Sequence, residues 1–533
     1  MTEPLDGEDT LELGSTRTSL AAPVRLPARA LLRHMMALGS SGSGKTVLAK
    51  VVVEEIVRTG IPALCLDPQG DLCSLALAAD DPDALVERGL DPELARSFAD
   101  CCDPVIFTPA SDKGVALGAD PLAAVLAGAE DPHAIDEELW TRAAGTVAAL
   151  LGYATDDDDG QGFVAVLDTI LRELAERGSA PKNLQTLTNH LAGLDDAALA
   201  PYAKFWELKP LRQAIRKLAR LEVGPRRKLF TGGLPLDIDV LLGRSTLPGL
   251  ATPAGKTRVA IIHLNSLHQQ EDKEFLVAAI AERLYAWMLA NPKPDPQVLF
   301  YLDEVAPYIP PVRKPQCKDS LQLLFKQARK YGVCCLMATQ NPGDVDYRAM
   351  SQFGTWALGR LTTRQDLKKV EPTVKSLAPA TCDAVMAELP RLEPGQFVLL
   401  SPDHFAEPTG LQTRWLYTQH LTLDEGRIAE LADARWRERF ASALTREEPE
   451  PAKPVAKPKA AAKPKPKATE EPTAIEVEKP TPKPKRVSKD ELAASTKEAQ
   501  LTVLREHGPV EVKRFAELIG CSETTARRAL RGL

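Results

Sequence analysis

Residues Gly39 to Thr46 read GSSGSGKT, an instance of G-x-x-x-x-G-K-[ST]. In such a segment Gly39, Gly42 and Gly44 let the chain turn tightly. The backbone N–H groups of Ser40, Ser41 and Ser43 and their neighbours then face a common centre, where they can cradle phosphate oxygens. Lys45 is placed to reach the β- and γ-phosphates of ATP, and the Thr46 hydroxyl to ligate Mg²⁺.

Three further stretches end in polar residues where apolar runs stop. VLFYLDE, Val298 to Glu304, ends in two carboxylates. Asp303 is the candidate to hold the metal through water, and Glu304 the candidate general base that polarises the attacking water. KYGVCCLMATQNP ends in Thr339 and Gln340, where Gln340 either senses the γ-phosphate or caps the strand. PALCLDPQGD, Pro62 to Asp71, puts Asp67 at the tip of another apolar run, where it either orients water or metal or anchors the Pro-Gln-Gly turn.

Specific elements must position these groups. MMAL before the glycine loop has strand length, and VLAKVVVEEIV after it has helical period. Apolar runs alternate with helical patterns around residue 40 and again from 257 onward, which predicts parallel βαβ units. The expected fold is α/β, a RecA-like P-loop core with a mainly parallel sheet. The core occupies 30–120 and 251–445 after a lead-in of 1–29. Residues 121–250 form a mostly helical insertion, as in DEELWTRAAGTVAALLGY, FVAVLDTILRELAERG and FWELKPLRQAIRKLARL. The acidic run Asp156 to Asp159 falls between two of these helices and reads as a solvated loop.

Composition narrows the class. A chain of 533 residues with 44% hydrophobic but 5% aromatic residues builds its core from Ala, Leu and Val, as α/β proteins rich in amphipathic helices do. No run approaches the length of a membrane span, and the start MTEPLDGEDTLELG is acidic, so a cytoplasmic protein without membrane partners is expected. The nine cysteines include the neighbours Cys101/Cys102 and Cys334/Cys335 but no zinc-like spacing, and read as reduced core thiols. The net charge of -7 argues against a surface that grips nucleic acid all round, leaving a local channel or patch as the possible contact.

Residues 446–487 repeat Pro and Lys, with 11 Lys and Arg against 7 Glu, and form a linker. Beyond it, 488–533 read as three short helices, EAQLTVLREHG, VEVKRFAELIG and ETTARRALRGL, the last capped by Ser522 across a Gly520-Cys521 turn. This small unit resembles a helix-turn-helix of the winged-helix kind. That resemblance puts Thr524, Thr525, Arg527, Arg528 and Arg531 on or near a DNA-recognition helix.

Taken in order, LRHMMALGSSGSGKT, LDPQGD, VLFYLDE, KQARKYGVCCLMATQNPGD and the later GRL resemble the HerA and FtsK group of hexameric DNA-translocating ATPases, most closely its HerA-like bacterial members. The resemblance covers roughly 30–118 and 257–420. It implies a homohexamer with ATP at subunit interfaces and DNA in a central channel, hence an ATP-dependent DNA translocase or helicase-like motor. It also implies that Arg329, in KQARKYG, reaches into the neighbouring subunit's ATP, and that Arg33 is a second phosphate contact. A nuclease partner belongs to that family picture too, although the thirty residues before the loop strand leave no room for the N-terminal barrel with which such proteins dock partners. The competing reading is an ATP-gated regulatory or scaffold protein that uses its tail to bind DNA or a protein, a role that needs no general base at Glu304.

Overall fold

The computed structural model describes residues 9–122, 137–153, 157–224, 226–247 and 249–444. The linker 446–487 and the helix-turn-helix candidates Thr524, Thr525, Arg527, Arg528 and Arg531 lie outside the described residues.

Thirteen strands form one sheet: β1 (Thr10–Thr16), β2 (Pro23–Pro27), β3 (Met35–Leu38), β4 (Ala63–Asp67), β5 (Cys102–Pro109), β6 (Val115–Gly118), β7 (Leu234–Pro235), β8 (Thr257–His263), β9 (Val298–Leu302), β10 (Val333–Thr339), β11 (Thr355–Leu358), β12 (Gln396–Leu400) and β13 (Thr409–Thr413). Their order across the sheet is β2-β1-β13-β12-β11-β3-β10-β9-β4-β8-β5-β6-β7. From β11 to β7 every neighbouring pair is parallel, while β11-β12, β12-β13, β13-β1 and β1-β2 are antiparallel. The expected mainly parallel α/β fold is therefore what the chain adopts.

The central strands are apolar because both their faces are covered. MMAL in β3, VLFYL in β9 and VCCLMAT in β10 are buried at every position. β10 lies between β3 and β9, so the loop strand and the Asp-Glu strand are separated by one intervening strand. The described part of the lead-in, from residue 9, is part of the fold. β1 and β2 extend the antiparallel side of the sheet, with Gly14, Ser15 and Thr16 opposite Thr413, Gln412 and Leu411.

The described part of 121–250 is mostly helical, with helices Glu137–Leu150, Asp158–Glu176 and Leu208–Arg220 matching the three quoted segments, and it also supplies β7, which pairs with β6. The acidic run is more ordered than a solvated loop. Asp157 caps the second of these helices by accepting from the Gly160 N–H at 2.7 Å, and Asp159 accepts from the Trp206 indole at 2.8 Å. Asp156 lies outside the described residues. Among the described residues no helix is long and apolar enough to cross a membrane.

Candidate nucleotide site

Parallel strands all point their C-terminal ends to one edge of the sheet, which is where open α/β sheets bind ligands. At this edge β3 runs into Gly39–Thr46, β4 ends at Asp67, β9 ends just before Asp303, and β10 ends just before Gln340. The sheet thus brings together groups that are far apart in sequence.

The loop is tightly constrained. Gly42 and Gly44 have φ of 73° and 94°, in the left-handed region. A side chain at Gly44 would also place its Cβ 2.9 Å from the Gly395 nitrogen, and one at Gly39 would meet the Ser43 hydroxyl oxygen at 2.5 Å. Two backbone bonds pin the loop: Ser40 N–H donates to Arg360 O at 2.8 Å, and Gly395 N–H donates to Ser43 O at 2.9 Å. Helix α1 (Lys45–Arg58) starts directly from Gly44, so its N-terminal N–H groups face the same edge.

Lys45 is buried, and its ammonium donates to the Gly39 carbonyl at 2.7 Å and the Ser40 carbonyl at 3.2 Å. Burial pulls its pKa below the ordinary lysine value, while the charges of Glu304 and Asp303 pull it back up. Asp303 is buried and accepts from the Tyr301 hydroxyl at 2.9 Å. Burial, opposed by that hydrogen bond and reinforced by the charges of Asp67, Glu304 and Asp71, raises its pKa to about 6. Several carboxylates crowded under one lysine are what a divalent cation would relieve. With the Thr46 hydroxyl beside them in the same cavity, the donor set is all oxygen and suits Mg²⁺. Bound there, Mg²⁺ would neutralise charge on the phosphate oxygens.

Glu304 holds φ at +46°, a conformation a β-carbon resists, and its Oε1 accepts from the Thr339 hydroxyl at 2.8 Å. A carboxylate tethered next to the loop is in place to orient and deprotonate water. Gln340 is exposed and faces the same cavity, of about 440 Å³, as Lys45, Thr46, Asp303 and Glu304.

Asp67 takes the second of its two readings. Its carboxylate accepts from the N–H groups of Gln69, Gly70, Leu72 and Cys73 at 3.3, 2.7, 2.9 and 3.1 Å, so both oxygens hold the turn. Gln69 and Asp71, presented by that turn, line the cavity instead. His263 and Cys73 come close enough to Asp67 to suggest a metal set. Against this, Asp67 is committed to backbone, and burial next to it keeps the Cys73 thiol protonated.

Arg33 and Arg329 lie elsewhere. Arg33 and Arg329 lie in the short turns just before β3 and β10, which puts both at the N-terminal edge of the sheet, opposite the loop. Seven-residue β10 alone separates the two edges by about 23 Å. Arg33 is ion-paired with Asp403, and Arg329 is exposed with no ion-pair partner among the described residues. The strand that follows Arg33 carries the chain across the sheet before the loop begins, so Arg33 stands away from the loop of its own chain. Between the two arginines His34 is buried, its Nε2–H donating to Phe325 O at 2.9 Å and its Nδ1 accepting from the Cys335 N–H at 3.2 Å.

Sequence reasoning missed Gln69, Asp71, Trp415 and His420, all on the cavity wall. Only the first two carry a sequence signal, since they follow Asp67 in LDPQGD.

Residues 11–96 match the family model for the central domain of the helicase HerA. Among solved structures, VirB4 of Thermoanaerobacter pseudethanolicus is similar at 15% identity over 77% of this chain and 98% of its own, with a TM-score of 0.50. The bacterial conjugative coupling protein TrwB is similar at 16% identity over 78% of this chain and 91% of its own, with a TM-score of 0.49. At these identities the likeness is one of fold. No curated protein sequence matches the chain. The loop-bearing segment thus matches the HerA central-domain model, and the loop, the Asp-Glu strand and the intervening strand are joined at one sheet edge in a RecA-like P-loop fold.

Proposed function

We propose that this protein hydrolyses ATP at the loop edge and uses the reaction to drive DNA through a ring of identical subunits, six by analogy with the group it resembles. One observation carries the reading. The candidate phosphate-binding and water-activating residues line one cavity at one edge of the sheet, while two arginines stand at the opposite edge, away from the loop of their own chain. In a head-to-tail ring one subunit's loop edge faces the next subunit's arginine edge. Arg329, exposed and without an ion-pair partner among the described residues, then stabilises charge on the neighbour's γ-phosphate, and Arg33 exchanges Asp403 for phosphate oxygens.

Lys45 and the loop amides hold the triphosphate, Thr46 and Asp303 hold Mg²⁺, Glu304 activates water, and Gln340 reports the γ-phosphate to the rest of the chain. Glu304 favours the motor over an ATP-gated switch, because a switch that only binds nucleotide gains nothing from a tethered base. Stimulation of ATP hydrolysis by double-stranded DNA tests the reading.

A further inference from the structure

We propose that Trp415 is the platform on which the base of the bound nucleotide stacks, so that this chain selects its nucleotide by ring area as well as by phosphate. The inference rests on the nucleotide reading above and adds a subsite to it.

The cavity at the glycine loop does not stop at the phosphate-binding groups. It continues to Val47, Gln412, Trp415 and His420, and among the residues lining it Trp415 and His420 supply the only aromatic rings. Their placement fits an extended ligand. Asp303 and Gln340 follow β9 and β10, on one side of the loop strand β3. Trp415 follows β13, which lies three strands to the other side, about 14 Å at the usual spacing. A triphosphate seated on the loop with its metal toward Asp303 therefore has its nucleoside end free to lie toward Trp415.

The indole is held in place before any ligand arrives. The Arg88 guanidinium sits 4.4 Å from its ring centroid, and the His420 ring stands at 86° to it, 5.8 Å away, so that the two rings form a corner. The backbone is strapped to the loop's own helix. Arg414, whose guanidinium also donates to the Trp415 carbonyl at 2.7 Å, pairs with Glu54 and Glu55 of α1 at 2.8 Å each. Glu54, fully buried, further accepts from the N–H groups of Tyr417 and Thr418 and from the Thr418 hydroxyl. One helix thus fixes both the phosphate cradle at its N-terminus and, two to three turns on, the segment that carries Trp415. Such a double anchor matters for a ligand that must touch both ends. A π-face reads any base but favours the larger purines, so stacking here predicts purine over pyrimidine triphosphates.

The test compares Kd for Mg²⁺-ATP and for inorganic tripolyphosphate in the full-length protein, its Trp415→Ala variant and its Trp415→Phe variant. The expected result is that Trp415→Ala weakens ATP roughly 10-fold or more while tripolyphosphate binds as before. Trp415→Phe should keep most of the ATP affinity yet lose an ATP-induced quench of tryptophan fluorescence that the unaltered protein shows and tripolyphosphate does not cause. The proposal is overturned if Trp415→Ala binds ATP normally, if it loses ATP and tripolyphosphate equally, or if the quench survives in Trp415→Phe. Failure of the unaltered protein to bind either ligand would instead overturn the nucleotide reading itself.

Discussion

The Thr339 hydroxyl donates to Oε1 of Glu304 at 2.8 Å, joining the last residue of the intervening strand to the carboxylate that follows the neighbouring strand. Thr339 is fully buried and Glu304 holds a positive φ, so this bond fixes a carboxylate whose backbone is already unusual. Thr339→Val keeps the shape and removes the donor. A hydrogen bond to a charged group contributes about 1.5–3 kcal/mol, so kcat for ATP hydrolysis should fall at least about tenfold while KM changes little. Steady-state kinetics decide: a raised KM at unchanged kcat would mean that Thr339 serves binding instead.

Lys45 and Glu304 separate binding from chemistry. Lys45→Ala removes the cation at the phosphates and should abolish detectable ATP binding. Glu304→Gln should bind Mg²⁺-ATP nearly normally and hydrolyse it about 10² or more times slower, since the cradle is intact and only the base is gone. Calorimetry beside single-turnover hydrolysis checks both, and near-normal turnover in Glu304→Gln would remove it from the base role.

Arg329→Ala should bind ATP but lose about 10³ in rate, the scale on which a positioned guanidinium acts in phosphoryl transfer. Mixed rings of Arg329→Ala with Lys45→Ala should regain part of the activity, because some interfaces then join an intact loop to an intact arginine. No recovery in rings shown to contain both variants would assign Arg329 to its own subunit or to the fold.

His34, between these arginines, links the fold to pH. Burial, the largest influence, lowers its pKa from 6.5 to about 4, and the Arg329 charge adds to the lowering. The folded chain therefore keeps the ring neutral while the unfolded chain takes up a proton below pH 6.5. Stability contributed by the neutral ring is full above 6.5 and is lost as pH falls toward 4, by up to about 3 kcal/mol. His34→Gln supplies a donor and an acceptor without titrating, so its urea midpoint should vary less between pH 6.5 and 4. Equal slopes for the two proteins would show that other groups carry the acid sensitivity.

Much of the site was legible because each part is local in sequence. GSSGSGKT is contiguous, and β9 and β10 announce themselves as fully apolar runs ending in Asp303-Glu304 and Thr339-Gln340. Two kinds of information were not. Trp415 and His420 reach the cavity only because β13 returns antiparallel to the loop edge and Arg414 is strapped to α1 by Glu54 and Glu55, contacts with no local pattern. Arg33 is the opposite case, for it lies close to the loop in sequence but a whole strand away in its own chain's fold. Likewise β1 and β2 are short strands, TLELGST and PVRLP, whose burial alternates along the chain and which become strands by pairing with β13 and with each other.

The most direct test of a DNA-driven motor is the ATPase rate of the full-length protein with and without double-stranded DNA, with Glu304→Gln as the blank. The motor reading predicts at least severalfold stimulation that weakens as salt rises, since phosphate contacts release counterions. An ATPase rate that saturating DNA leaves unchanged at low salt would contradict it.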